Sequence, residues 1–124
     1  MSVNQVATLS GARFLMFETL AERTLALSQV ERRRDPARGY NPALDRFIGP
    51  VLARCLRDKI RIVGNFGAAN PRGAAERILA LAQAQKLPLP RIAIVEGDDL
   101  SGSLSKAELA ARETGGALLQ NDCE

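Results

Sequence analysis

Apolar residues fall in two spacings along this chain. Three short runs, "ARFLMFE" (12–18), "KIRIVGN" (59–65) and "RIAIVEG" (91–97), are compact and rich in branched or aromatic side chains. Runs of strand length bounded by polar turns predict strands, and nearly continuous ones predict parallel strands covered on both faces. The second and third are near-copies of each other. Elsewhere the apolar positions recur every three or four residues, which predicts helices. Leu44, Phe47, Ile48, Val51, Leu52, Cys55 and Leu56 form one such stripe, with Asn41 as its N-cap and Pro42 in the first helical position. Gly49-Pro50 interrupts it and predicts a kink or a restart. Cys55 on that stripe reads as a core residue. A second helix over about 72–86 turns Ala74, Ala75, Ile78, Leu79 and Ala82 inward and ends before Pro88 and Pro90. A third, "TLAERTLALSQV", follows the first strand directly. Thr19 with Glu22 reads as its capping box, and Leu20, Ala21, Thr24, Leu25 and Leu27 as its buried side.

These elements predict an α/β fold, a three-layer αβα arrangement with a small parallel sheet built from βαβ units. At 124 residues the chain is one α/β domain, 1–124. Ser105 with Glu108 forms another capping box opening a short helix, Gly115-Gly116 closes it, and "ALLQ" (117–120) could begin a further strand. A sheet this small leaves long edges, so a homo-oligomer or a companion domain is expected.

Composition removes several functions. The excess of 17 basic over 14 acidic residues is too small to imply nucleic acid. The basic run "ERRRDPAR" (31–38) sits at a helix end, where arginines suit the negative helix terminus. No nucleic-acid partner is expected. The N-terminus lacks a signal-peptide pattern, and no apolar run is long enough to span a bilayer. With only Cys55 and Cys123 there is no disulfide framework, so the default location is cytoplasmic, with no membrane partner. The chain has no histidine, which excludes imidazole bases, Ser-His and Cys-His nucleophiles and His-ligated zinc within it.

Candidate chemistry lies at the ends of the strands, since open parallel sheets bind ligands outside their carboxyl ends. The first delivers Glu18. The second delivers Gly64, Asn65, Phe66, Gly67, Ala68, Ala69 and Asn70, a turn that opens a helix and so offers main-chain N–H groups to a small anion. The alternative is a well-capped turn holding nothing. The third delivers Glu96, Asp98 and Asp99. Crowded carboxylates of this kind either bind a divalent cation, with Asp98 and Asp99 as ligands, or raise one another's pKa for proton transfer by Glu18, Glu96 and Asp98. The alternative is that Asp98 and Asp99 are solvated turn residues, and that Glu18 is simply a favourable acid before a helix. Enzyme and binding module both remain open.

"FETLAERTLALSQ", "IRIVGNFGAANPRGAAE" and "IAIVEGDDL", in that order, resemble the consecutive motifs of the acyclic terpene utilisation AtuA-type family over roughly residues 11 to 120. The resemblance implies a cytoplasmic protein connected with breakdown of isoprenoid and branched-chain acids as coenzyme A thioesters. It carries the family's polar positions onto Glu18, Glu22, Arg23, Asn65, Gly67, Asn70, Pro71, Glu96, Asp98 and Asp99. It further implies an acyl-coenzyme A ligand and a chain that is a fragment of a longer domain. A non-catalytic small-molecule-binding or assembly subunit on the same scaffold is the alternative function.

Overall fold

In a computed structural model, the described residues are Gly11, residues 13–99, Ser105, Ala107, Glu108 and Ala111. The chain divides into two units, Met1–Ile94 and Val95–Glu124. The first holds strand β1 (Phe14–Phe17), helix α1 (Glu22–Arg34), helix α2 (Leu44–Arg57), strand β2 (Arg61–Gly64) and helix α3 (Pro71–Ala84). It is an α/β unit in which β1 and β2 pair in parallel, in the register Phe14 to Arg61 through Phe17 to Gly64. Both carboxyl ends therefore emerge side by side.

Alternation along the strands places Leu15, Phe17 and Ile62 on one face, and that face meets α2. Leu15 packs with Val51, Cys55 and Ile60, so Cys55 is the core residue its stripe predicts. Leu44, Ile48 and Leu52 continue the stripe against Ala74 and Ala82 of α3. The alanines let the two helices come close, and Arg77 grips Asp45 with two parallel hydrogen bonds across the pair. The expected covering of the sheet on both faces is not met among the described residues. Phe14, Met16 and Val63, which alternate with the buried set, are exposed, and the Arg61 guanidinium lies 5.6 Å from the centre of the Phe14 ring.

α2 is one helix from Leu44 to Arg57 with Pro50 inside it, so of the kink or restart expected at Gly49-Pro50 no restart occurs. Three expectations are corrected. α2 begins at Leu44, so Asn41 caps the turn before it through Ala43 N rather than the helix itself. α1 has no side-chain cap at Ala21, because Thr19 is bonded elsewhere. Its apolar positions do not form a buried face: Ser28 is its one buried residue, Leu27 is 58% exposed, and Leu20 precedes the helix. Apolar residues spread around a helix that meets only loops have no surface to cover.

The third expected strand is also absent, as residues 91–99 adopt no regular structure. Ile92 and Ile94 are partly exposed and Val95 is 92% exposed. Branched side chains favour a strand when they can lie on a half-buried pleated surface beside a paired neighbour, and this segment has neither. In the second unit the Ser105–Glu108 box forms as expected: Ser105 N and Oγ both donate to Glu108 Oε2, and Glu108 N donates back to Ser105 Oγ. Cys123, Gly115-Gly116 and the 117–120 segment lie outside the described residues.

α2 and α3 end alike. After α3, Leu87 N donates to Ala82 O and Lys86 N to Gln83 O, with Lys86 at φ 55°. After α2, Ile60 N donates to Cys55 O and Lys59 N to Leu56 O, with Lys59 also at φ 55°. This is the Schellman ending, in which glycine is preferred at the left-handed position. Lysine there carries a backbone penalty of order 1 kcal/mol, partly offset by its smaller loss of chain entropy relative to glycine. Lys86→Gly is therefore expected to stabilise the domain by about 0.5–1 kcal/mol in urea unfolding. An unchanged or lower midpoint would refute this account of the helix end.

Candidate functional site

The carboxyl ends of β1 and β2 are joined by side chains. Past Phe17 the chain leaves β1 through Glu18 and Thr19, and past Gly64 it leaves β2 through Asn65. Because the strands are parallel and in register, these exits are neighbours although some 47 residues separate them. Asn65 Nδ2 donates to Glu18 Oε1 at 2.8 Å, and Asn65 Oδ1 accepts from Thr19 N at 2.8 Å and from Thr19 Oγ1 at 3.2 Å. Leu20 N also donates to Glu18 Oε1, at 2.9 Å. Both bonds to the carboxylate fall on the same oxygen, and Oε2 has no protein donor among the described residues.

Hydrogen bonds to the ionised form favour it. The Asn65 carboxamide first, and the Leu20 amide second, hold the Glu18 carboxyl below its usual value of 4.5. The folded value is thus depressed relative to the unfolded chain. The stability these bonds contribute is present above the unfolded value and is lost as pH falls through the folded one. A Glu18→Gln variant should be less stable than the parent at neutral pH, with the gap closing on acidification below the ordinary carboxylate range. Urea titrations at the two extremes test this, and a gap that ignores pH would contradict it.

The turn after β2 is organised around its own chain. Ala68 N donates to Asn65 O, Ala69 N to Gly39 O and Asn70 N to Gly67 O. Asn70 caps α3 by accepting from Gly73 N, with Pro71 at the first helical position, and its Nδ2 donates to both Pro36 O and Arg38 O. Arg32 reaches in from α1 to Ala69 O. A Cβ on Gly67 would lie 2.7 Å from Pro71 Cα and Cβ, so that glycine makes room for the start of α3. The main-chain donors of Ala68, Ala69 and Asn70, which an anion at 64–70 would use, are thereby spent within the protein. The sequence marked the turn as special, and much of what makes it so is intramolecular closure.

Phe66 is buried under the same rim. Its ring lies 5.2 Å from Phe17, which in turn lies 6.1 Å from Phe47, so three of the chain's four phenylalanines form the floor beneath Glu18 and Asn65. Sequence reading missed two participants. Thr19 looked like a helix cap, and Asn41 like another. The "NP" step at 41–42 was the one local sign that Asn41 anchors a turn.

Glu96, Asp98 and Asp99 belong to the second unit, on irregular and exposed backbone. Among the described residues no three His, Cys, Asp or Glu side chains come together as a metal site would require, and no helix is long and apolar enough to cross a membrane.

The model of the family described as acyclic terpene utilisation family protein AtuA matches residues 1–122 of the chain. No curated protein and no solved structure matches it.

Proposed function

The chain belongs to the acyclic terpene utilisation family AtuA, and from that membership we propose that the domain binds the coenzyme A thioester of an acyclic isoprenoid or branched-chain acid at the carboxyl ends of β1 and β2. The supporting observation is the Glu18–Asn65 contact, which bridges the two strand exits and fixes one carboxylate through a single oxygen. A fixed, ionised acceptor at that position orients a donor group of the ligand without itself reorganising. The phosphates make the ligand anionic, and the main-chain donors of Ala68, Ala69 and Asn70 are already occupied. Glu18 orients the ligand.

A second reading, a non-catalytic small-molecule-binding or assembly subunit, is favoured by the depressed Glu18 pKa. A carboxyl held below its usual value is a poorer proton shuttle than one tuned upward.

Thermal melts with isovaleryl-coenzyme A and with free coenzyme A test the binding. Ligand at about a hundred times its dissociation constant adds roughly 2.7 kcal/mol, a shift of several degrees. The thioester is expected to shift the parent strongly and Glu18→Gln by less than half as much. A cooperative melt that no branched thioester moves would overturn the binding reading, and an equal shift in both proteins would remove Glu18 from it. Turnover of a shifted thioester would decide for an enzyme over a binding subunit.

A further inference from the structure

We propose that Asn41 is the positioning residue for Glu18, acting through the peptide between Thr19 and Leu20. The proposal rests on the reading of the strand-end rim as the ligand site, and it concerns what holds that rim in shape. Asn41 is a buried polar residue, 7% exposed, on the loop between α1 and α2, and it touches both strand exits. Its main-chain N–H donates to Phe66 O at 2.8 Å, on the β2 side. Its Nδ2 donates to Thr19 O at 3.4 Å, on the β1 side. Its Oδ1 accepts from Ala43 N at 2.9 Å, which fixes the side-chain rotamer that aims Nδ2.

The carbonyl that Asn41 engages belongs to the same peptide unit as the Leu20 N–H, and that N–H donates to Glu18 Oε1. The connection runs from the Asn41 amide through one rigid, planar peptide to the carboxylate. A bond to the carbonyl end restrains the tilt of that plane and polarises its N–H, so the two hydrogen bonds reinforce each other. Asn65 holds the carboxylate from the β2 side, through Nδ2, and fixes the preceding peptide through Thr19 N. Asn41 supplies the remaining restraint. At 3.4 Å the Nδ2 bond is the longest in the set, so its effect on Leu20 is local and modest in size.

Asn41→Ser keeps an acceptor for Ala43 N and lacks an amide that reaches Thr19 O. Amide hydrogen exchange of the whole chain, read residue by residue, is the measurement. In the variant the Leu20 amide is expected to exchange about five- to tenfold faster than in the parent, as loss of one neutral hydrogen bond implies, after correction for the common change seen at Ile48 and Leu52 in α2. Leu20 exchange that only follows those helix amides would overturn the proposal and leave Asn41 a loop anchor. If Asn41→Ser does not fold, Asn41→Asp, isosteric and also without the donor, is read in the same way. Isovaleryl-coenzyme A affinity is measured in parallel: faster Leu20 exchange with no thioester binding to either protein refutes the ligand reading and leaves the positioning role standing.

Discussion

A Gly64→Ala variant is expected to lose about 3 kcal/mol of stability, enough to unfold a marginal domain. The new methyl would lie 2.3, 2.8 and 2.9 Å from three carbons of the Phe66 ring, well inside contact distance. Phe66 is 5% exposed and packs in the core with Leu44, Ile48, Leu52, Ala74 and Ala82. The ring cannot move aside without vacating that core and its contact with Phe17. The alternative, moving the end of β2, would pull Gly64 from its register with Phe17. Either way the cost approaches that of removing a buried phenylalanine, about 3–5 kcal/mol. Urea unfolding with far-UV circular dichroism reads it directly. A loss below about 1 kcal/mol would mean the ring relaxes freely, and the aromatic floor of the rim would then not be rigid.

Asn70→Ala comes next in size, at about 2–3 kcal/mol. One part is the cap on α3, worth about 1 kcal/mol at such positions. The other is the pair of bonds from Nδ2 to Pro36 O and Arg38 O, which tie the loop between α1 and α2 to the start of α3. Asn70 is 8% exposed, so water does not readily replace it at those carbonyls. Asn70→Ser separates the parts, since serine keeps the cap and loses the two donors. It should fall about midway between parent and alanine variant. A serine variant as stable as the parent would confine Asn70 to helix capping and leave the loop held by Ala69 N, Arg32 and Asn41.

Both substitutions bear on how a ligand turn is recognised. A Gly/Asn/Pro turn on the end of a strand is the composition of an anion cradle, and equally that of a turn closing on itself. Gly64, Gly67 and Asn70 are each accounted for by contacts within the chain. Asn65 is different, because its amide joins two strand exits through Glu18 and Thr19. Telling these apart needs the partner atoms, which come from segments tens of residues away.

Local chemistry by itself determined much of this protein. The heptad-like stripe from Leu44 to Leu56, the Asn70-Pro71 start of α3, the Ser105–Glu108 box, the core placement of Cys55 and the parallel α/β character all follow from spacing and short-range bonding. Three motifs also sufficed to point to the family. Tertiary structure decided the rest. Thr19 satisfied a capping pattern, yet its N–H and hydroxyl were claimed by Asn65 from the neighbouring strand. Residues 91–97 matched β2 almost letter for letter, yet took no ladder, because a strand is stabilised by a partner and a surface and not by its own residues. α1 carried apolar residues without a face to bury them on. The pattern along a chain records what each segment can bury or bond; which of several suitable partners it meets is set by closure of the whole fold.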